Sequence, residues 1–416
     1  MKHIAIYCSN TIDKKQLIQQ IEKNFLSPFI CKLTELQGEV YSSITIDKFI
    51  NEAYKHDKIF ISTDSDTTFE EMSSGQQRIA LAKFIFKQNP DYVIIDDICS
   101  NVDKQTLSMV YKLFEEYLNT CLYIQIFSRI NDILPYVSQV IEIDNVMGIS
   151  NVFTQHEFLL KHTLTDVSKK NEYTVSHLLS EVPYFDPLVT MQNVTVAYRT
   201  KPVLHKVKWT IKAGEFWELR GPIGSGKSTL LSMIIGDNPK AYGQDMHLFG
   251  RKKESGESVW EIKKHIGYFY PKMMQLFNRE TSIENMIISG FYDSIGLYIK
   301  PLDWQRKVAK EWMENLGIDY NKKNFHELSP GQQRIILIIR AIVKQPPLII
   351  LDEPTVGLDD YNISLFVSII NAIAQTKKIA IIFVSHRKEV GLQADYLFEL
   401  QPTEYGSISK ITKLLT

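Results

Sequence analysis

The stretch GPIGSGKST in the second half of the chain carries residue types suited to phosphate chemistry. Its glycines let backbone N–H groups wrap phosphates at a helix start, and Lys227 is placed to reach the β- and γ-phosphates. Ser228 has the hydroxyl that such loops use to ligate Mg²⁺. The pattern therefore predicts a nucleotide-binding loop with the contact residues Gly221, Pro222, Ile223, Gly224, Ser225, Gly226, Lys227, Ser228 and Thr229.

Two further stretches add acid–base groups. PPLIILDEP ends an apolar run with two carboxylates, and KKIAIIFVSH ends another at His386. We expect Asp352 to complete the Mg²⁺ shell and Glu353 to polarise the attacking water. His386 suits contact with the γ-phosphate and that water, and Glu353 and His386 are the predicted catalytic pair.

Tyr198 is the remaining candidate for nucleotide contact. It precedes Lys227 by 29 residues (227 − 198) in NVTVAYRTKPVL. An aromatic ring there suits stacking on adenine, and a packed core tyrosine is the alternative.

The elements that must position these groups are strands leading into loops. EFWELRG reads as a buried strand before the glycine-rich loop, and KSTLLSMIIG reads as the helix after it, ending at Gly236. Together with the apolar runs before Asp352 and His386, this predicts an α/β fold.

The first half repeats part of this arrangement. Ser73, Asp96 and Asp103 match Ser329, Asp352 and Asp359, and each pair is separated by 256 residues (329 − 73). Asp97 then stands at the position of Glu353, and Arg129 stands one residue from that of His386. The chain therefore contains two copies of one unit, not a solenoid, whose period would be shorter.

The first copy lacks the glycine-rich loop. Its ungapped counterpart SNTIDKKQLI puts Lys15 at the lysine position, with Ile12, Asp13 and Lys14 where glycines are needed. Non-glycine residues in left-handed conformations cost roughly 1–2 kcal/mol each, and Asp13 would repel phosphate. We expect this half not to bind ATP tightly. The interval from Lys15 to Ser73 is also 44 residues shorter than the interval from Lys227 to Ser329. The sequence does not identify which elements are missing.

Composition limits the classes of function. The net charge of −1 argues against a large nucleic-acid footprint, so no nucleic-acid partner is expected. No apolar run approaches the roughly 20 residues needed to span a bilayer, and the N-terminus lacks the apolar stretch of a secretory signal. We expect a cytoplasmic protein. A peripheral position at the inner face of the membrane is compatible with that location.

The ordered set of motifs, including LSPGQQR, LIILDEP, VGLD and FVSH, resembles the ABC-type ATPases. The resemblance implies two RecA-like P-loop NTPase domains in tandem, with the first truncated and degenerate. The expected bounds are residues 1–144 for the degenerate domain, 145–187 for a linker and 188–416 for the complete domain. A complete ABC unit also has a small antiparallel β subdomain and a helical subdomain carrying the signature.

In that family, two units face each other head to tail, and ATP lies between the phosphate loop of one and the signature of the other. The surviving SSGQQ of the first copy is therefore expected to serve ATP bound by the second, through Ser73, Gly75 and Gln76. A capped helix left from a decayed duplication is the alternative interpretation.

The phrases GDNPKAYGQDMHLFGRKKESGESVWEIKKHIGY and IISGFYDSIGLY resemble the ModF-type subgroup of molybdenum-transport ATP-binding proteins. This implies Mg²⁺-dependent ATP hydrolysis in a transport system, with a membrane permease as partner and molybdate as one candidate cargo. Pro271, with Gln275 nearby, replaces the family's usual glutamine, which puts ordinary transporter coupling in question. The alternatives are a non-transport ABC ATPase and a nucleotide-dependent regulatory protein.

Overall fold

The computed structural model describes the chain except for residues 1, 24, 27–28, 30–32, 57–60, 62–67, 71, 100–101, 103, 147, 167–181, 278–279, 319–323 and 415–416. Two compact units are present. The first comprises Met1–Lys170 with Gly357–Tyr361, and the second comprises Asn171–Val356 with Asn362–Thr416. Each unit is described by itself.

The first unit is built on a six-stranded sheet in the order β2-β3-β4-β1-β5-β6. Neighbouring strands are parallel, except that the edge strand β6 runs antiparallel to β5. The strands are β1 (His3–Tyr7), β2 (Gly38–Tyr41), β3 (Tyr92–Asp96), β4 (Leu122–Phe127), β5 (Val137–Asn145) and β6 (Gly148–Thr154). The helices are α1 (Lys14–Glu22), α2 (Ser43–His56), α3 (Ser74–Lys87), α4 (Lys104–Glu116) and α5 (Gln155–Asp166).

The second unit contains two sheets. An antiparallel sheet has the order β11-β10-β7-β8, and a six-stranded sheet has the order β12-β13-β14-β9-β15-β16. The strands are β7 (Val189–Tyr198), β8 (Lys201–Ile211), β9 (Phe216–Arg220), β10 (Asp245–Leu248), β11 (Arg251–Lys252), β12 (Ile266–Phe269), β13 (Leu348–Asp352), β14 (Ala380–Val384), β15 (Tyr396–Gln401) and β16 (Ile408–Lys413). The helices are α6 (Lys227–Ile235), α7 (Val259–Lys264), α8 (Ile283–Ile288), α9 (Asp303–Asn315), α10 (Pro330–Ile342) and α11 (Asp360–Gln375).

The central strands are apolar because both faces of the sheet are covered. In β13, Leu348, Ile349, Ile350 and Leu351 are all buried, and β14 is buried along its whole length. Such runs lack the alternation of a half-exposed strand, as expected for a parallel sheet covered on both faces. Among the described residues, no helix is long and apolar enough to cross a membrane.

The repeat seen in the sequence extends to the backbone. Both six-stranded sheets have one order, with β2, β3, β4, β1, β5 and β6 corresponding to β12, β13, β14, β9, β15 and β16. Asn89 and Gln345, 256 residues apart, both have left-handed φ values, of 49° and 56°. Asp97 and Glu353 form a second such pair, with φ values of 57° and 46°. Asp103, matched to Asp359 in the sequence, lies outside the described residues.

The two units differ in their accessory elements. The described part of the first unit contains its six-stranded sheet alone, without an equivalent of the antiparallel sheet β11-β10-β7-β8. Between the loop-helix start and the signature helix, its described residues form α1, β2 and α2, whereas the second unit has α6, β10, β11, α7, β12, α8 and α9. The sequence deficit therefore falls on the hairpin β10–β11 and on helices.

The first unit also extends past the expected boundary at residue 144. Strand β6 pairs with β5 from Gln139 to Asn145, and α5 follows it directly. Phe158 of α5 is fully buried in the first unit's core, so this segment belongs to that unit. The remaining connection includes residues 167–181, which lie outside the described residues.

Candidate nucleotide site

The glycine-rich loop connects β9 to α6 in the second unit. Gly226 caps the helix with a φ of 95°, and Gly224 has a φ of 79°, both in the left-handed region that favours glycine. A Cβ on Gly226 would lie 2.8 Å from the Leu204 side chain. The backbone conformation expected from the motif is therefore present.

Lys227 is the first residue of α6. Its Nζ donates to the carbonyl oxygen of Gly221 at 2.6 Å and to that of Pro222 at 3.0 Å. These contacts hold the ammonium group over the loop, next to the N–H groups of the first helical turn. Positive charge and helix N-terminus together favour a bound phosphate.

The two carboxylates lie on the neighbouring part of the sheet. Strand β14 lies between β9 and β13, and Asp352, Val384 and Leu219 stand opposite one another in register. Because the strands are parallel, the loop after β9, the acids after β13 and His386 after β14 emerge at one edge of the sheet. The structure thus places the predicted site residues after neighbouring strand ends, and their roles stay a prediction.

Burial changes the acid–base properties of both acids. It raises the pKa of Asp352 to about 6, against the opposing effect of Lys227. Burial, reinforced by the charge of Asp352, raises the pKa of Glu353 to about 7, again opposed by Lys227. A carboxylate with a pKa near neutrality suits a general base, because its protonation state changes near the operating pH.

Glu353 is also held in an unusual conformation. Its φ is 46°, and its N–H donates to the Val384 carbonyl at 2.9 Å. Its Oε1 lies 3.6 Å from Nε2 of His386 and is buried without a hydrogen-bond partner. A buried acceptor left unsatisfied costs about 1–3 kcal/mol, so such an atom is typical of a group reserved for a ligand or a reaction.

Ser228 and Asp352 are the residues that fit a Mg²⁺ ion. One hydroxyl and one carboxylate are oxygen ligands of the kind that Mg²⁺ prefers, and Mg²⁺ usually takes its other ligands from water and substrate phosphates. Burial of the Asp352 carboxyl disfavours its charged form, so a cation beside it would compensate that charge.

Tyr198 is partly exposed at the end of β7. Its hydroxyl accepts from Nδ2 of Asn238 at 2.8 Å, and Nζ of Lys240 lies 5.9 Å from its ring centroid. Asn238 follows the C-terminal end of α6. The hydroxyl is thus tied near that end of the helix, and stacking of the ring on adenine stays a prediction.

Two hydrogen bonds near Glu353 could not be predicted from the sequence. Arg334 of α10 donates to the Glu353 carbonyl at 3.2 Å, which links the signature helix to the acidic loop. Thr355 donates to Oε1 of Glu389 at 2.6 Å. Both donors lie inside recognisable motifs, LSPGQQR and LDEPT, but their partners are set only by the fold.

The segment after β12 is the one in which the sequence replaces the family's usual glutamine. Pro271–Gln275 form a short 3₁₀ helix, with the exposed Gln275 as its last residue. Tyr268 and Tyr270 stack upstream of it, with ring centroids 4.9 Å apart. Tyr268 stands opposite Ile350 of β13, two residues before Asp352, and burial and the charge of Asp352 raise the pKa of Tyr268.

In the first unit, the structure corrects the alignment of the degenerate loop by one residue. Helix α1 begins at Lys14, just as α6 begins at Lys227, so Lys14 and not Lys15 occupies the lysine position. Asp13 takes the place of Gly226 as N-cap, and its carboxylate accepts from the N–H groups of Lys15 and Gln16 at 2.8 and 3.2 Å. A side-chain anion thus uses donors that would serve a phosphate.

The lysine of the first unit is also engaged. Nζ of Lys14 lies 2.7 Å from Oδ1 of Asp96, whose side chain is only 4% exposed. Burial disfavours the Lys14 charge, but the neighbouring Asp96 and Asp97 outweigh burial and raise the pKa of Lys14. Arg129 lines one small cavity with Lys14 and Asp97, which agrees with its expected position near that of His386.

The two signatures begin their helices in one way. Ser73 and Ser329 are the N-caps of α3 and α10, and each forms a capping box with the glutamine three residues on, Gln76 or Gln332. Ser73 and Gln76 are exposed, whereas Gly75 is buried against Thr106. The predicted nucleotide-facing residues therefore lie together at a helix N-terminus, in a geometry that also satisfies a simple helix cap.

Comparison with known proteins finds similarity to the ABC transporter family and to ABC transporter ATP-binding proteins. The family model for ABC transporters matches residues 204–356. The ABC transporter ATP-binding protein ModF of Escherichia coli (strain K12) is 33% identical over 341 residues, covering 78% of this chain and 68% of the relative. An uncharacterized ABC transporter ATP-binding protein of Schizosaccharomyces pombe is 29% identical, covering 76% of this chain and 65% of its own length.

Other matches extend over one half of the chain. The zinc uptake system ATP-binding protein ZurA of Listeria innocua is 32% identical over 203 residues, covering 48% of this chain and 76% of the relative. A solved structure of a dimeric, post-hydrolysis ATP-binding cassette bound to ADP and Pi is 25% identical. It covers 55% of this chain and 99% of its own, with a TM-score of 0.46.

Proposed function

Because the chain belongs to the family of ABC transporter ATP-binding proteins, we propose that it hydrolyses ATP at one working composite site. The second unit supplies the loop Gly221–Thr229 and the acids, and the first unit supplies the signature. The assembled Lys227, Asp352, Glu353 and His386, with the Glu353 pKa raised to about 7, is the observation that supports this proposal.

In this proposal the residues of the chain have separate tasks. Lys227 and the N–H groups of the loop bind the phosphates, while Glu353 accepts a proton from the attacking water and His386 orients that water. Ser228 and Asp352 would hold Mg²⁺, and the ion would supply positive charge to the phosphates when bound.

The ion pair in the first unit supports a single site. Lys14 neutralises Asp96, and Asp13 occupies N–H donors of the first helical turn. A nucleotide entering there would have to break a buried ion pair and a helix cap. We therefore propose that ATP binds the second unit alone, while Ser73, Gly75 and Gln76 act on it from the first.

The names of two relatives, the ABC transporter ATP-binding protein ModF and the zinc uptake system ATP-binding protein ZurA, support a transport role. We propose that this chain is the ATPase component of a transport system, placed in the cytoplasm at the inner face of the membrane with a permease as partner. Molybdate is a candidate cargo of that system. The altered segment Pro271–Gln275 favours the alternative, an ABC ATPase or nucleotide-dependent regulator without a permease.

Charge substitutions in the two signatures test the composite site. Ser73→Arg places bulk and charge against the γ-phosphate in this proposal and should abolish turnover, whereas Ser329→Arg, the matched variant, should be mild. Glu353→Gln should bind MgATP but lose about 10²–10³-fold in turnover, as is typical for loss of one preorganised group. Phosphate release is the measurement, after thermal melts confirm folding.

The opposite pattern would contradict the proposal. If Ser329→Arg abolishes turnover and Ser73→Arg spares it, the working site is built from two second units of different chains. Affinity purification of the native protein from detergent-solubilised cells separates the two roles, since a permease supports transport and its absence supports the alternative.

A further inference from the structure

Two loops carry the proposed catalytic pair, and a buried hydrogen bond joins them beyond the pair itself. Thr355 lies two residues after Glu353, and Glu389 lies three residues after His386. The Thr355 hydroxyl donates to Oε1 of Glu389 at 2.6 Å. The two residues are only 1% and 4% exposed.

The burial and the short length of this hydrogen bond indicate that it holds the two loops together. Burying a carboxyl group is unfavourable unless it is hydrogen-bonded, and 2.6 Å is the length typical of a hydroxyl donating to a carboxylate. Such bonds are roughly twice as strong as neutral ones. A threonine and a glutamate that are both fully buried in loops therefore form a strong and local connection between those loops.

The catalytic pair lies between this hydrogen bond and a second one that joins the same two segments. On the strand side, the Glu353 N–H donates to the carbonyl of Val384, two residues before His386. On the far side, Thr355 binds Glu389. Glu353 and His386 thus lie between two ties that join the same two loops, and their side chains meet at 3.6 Å.

Glu353 needs such support because its backbone is strained. A non-glycine residue at a φ of 46° persists only where the surrounding structure holds it there. The strand-side tie fixes the N–H of Glu353, and the Thr355 hydroxyl fixes the chain that leaves it. The left-handed φ does not depend on the second tie alone, because Asp97 keeps a φ of 57° in the first unit, where Cys99 replaces Thr355. The second tie instead fixes where the chain after Glu353 lies relative to the loop that carries His386.

The first unit provides an internal comparison. Position 99, the equivalent of Thr355, is Cys99, whose Sγ lies 3.3 Å from the hydroxyl of Tyr111 in α4. In that unit Glu353 is replaced by Asp97 and His386 has no histidine counterpart. The threonine hydroxyl is thus found in the copy that has the catalytic pair.

We infer that Thr355 and Glu389 are positioning residues for ATP hydrolysis, which hold Glu353 and His386 in register through their buried hydrogen bond. The inference rests on the proposed function of the second unit. It assigns neither residue a contact with ATP, so they affect the hydrolytic step and not nucleotide affinity.

The central variant is Thr355→Val, which replaces the hydroxyl by a methyl group of similar size. Turnover should fall about 10–100-fold, the effect of a misplacement on the order of 1 Å in a catalytic group. KM for ATP should change less than about threefold, because loop 221–229 is unaltered. Thr355→Ser restores the hydroxyl and should recover most of the activity.

Thr376→Val is the matched control. Its hydroxyl also makes a 2.6 Å hydrogen bond, to the Ile373 carbonyl, but it precedes β14 at the end opposite His386. Its turnover should equal that of the wild type. Combining Thr355→Val with His386→Ala should cost little beyond His386→Ala alone, because both changes disable one catalytic unit.

A readout independent of turnover separates this inference from the proposed function. In ¹H–¹³C spectra of histidine-labelled protein, with the His386 signal assigned from His386→Ala, Thr355→Val should move that signal and Thr376→Val should not. An unmoved His386 signal, or wild-type turnover in folded Thr355→Val, overturns the inference. Absence of turnover in the wild type would overturn the proposed function instead.

Discussion

At the residue scale, Glu353 of the second unit combines three energetically unfavourable features. Its backbone is left-handed, one carboxyl oxygen is buried without a donor, and burial raises its pKa to about 7. The pair of acids after an apolar run was sufficient to identify Asp352 and Glu353 from the sequence. Their burial was not predictable, because it depends on strands that are distant in sequence and pack over the same edge.

This burial predicts a pH-dependent stability in protein free of nucleotide and metal. The folded-state pKa of Glu353 is above its ordinary value near 4.5, so its stabilising contribution is full below about pH 4.5 and is lost as pH rises through 7. Glu353→Gln removes this loss. The variant should therefore gain about 1–3 kcal/mol over the wild type between pH 5 and pH 8.

Thermal melts in EDTA across that pH range measure the effect. The relevant transition is the one that MgATP shifts in a separate experiment, since binding stabilises the unit that binds. Parallel curves for the wild type and Glu353→Gln would show that the folded protein does not raise the pKa of Glu353.

At the element scale, the difference between the units lies at the start of one helix. Strand, loop and helix were predictable for Gly221–Thr229 because glycines mark the special backbone positions. In the first unit, an ungapped match placed Lys15 at the lysine position, but α1 starts at Lys14. Loss of the glycines leaves no residue pattern that marks where the helix begins, and Asp13 sets the start as N-cap.

This helix start predicts unequal effects of two neighbouring lysines. Lys14→Met leaves Asp96 buried without its partner and should destabilise the first unit by about 2–4 kcal/mol, since removing one partner of a buried ion pair is strongly unfavourable. Lys15→Met, the control, alters an exposed side chain and should stay within about 0.5 kcal/mol. Urea unfolding followed by circular dichroism measures both. Equal stabilities would show that the Lys14–Asp96 pair is not a structural contact.

At the scale of the whole molecule, the two units share one strand order but not one set of accessory elements. The internal repeat predicted the tandem architecture, and the 44-residue deficit predicted that something was missing. A deficit in length does not identify its location, so only the fold shows that the described residues of the first unit lack counterparts of the hairpin β10–β11 and of some helices. The extent of the first unit to β6 and α5 was missed because its end carries no motif.

The tandem architecture with one working site predicts a binding stoichiometry. Glu353→Gln protein with MgATP should bind one ATP per chain by equilibrium dialysis and remain a monomer by light scattering. Covalent linkage raises the effective concentration of the partner unit into the millimolar range, which favours pairing within the chain. Two ATP per chain, or an ATP-dependent dimer, would contradict the single intramolecular site. Lys15→Ala in the same background serves as control, because the side chain is exposed and the count should not change.

The contacts that replace the phosphate loop in the first unit have an evolutionary consequence. A point mutation can restore glycine at Asp13, the position of Gly226, but only by removing the N-cap of α1. In the second unit, Leu204 of β8 packs against Gly226, so the glycine-rich loop is in direct contact with the antiparallel sheet. Natural variation in the first unit should therefore accumulate around Lys14 and Asp96 as a co-varying pair rather than return toward a phosphate loop.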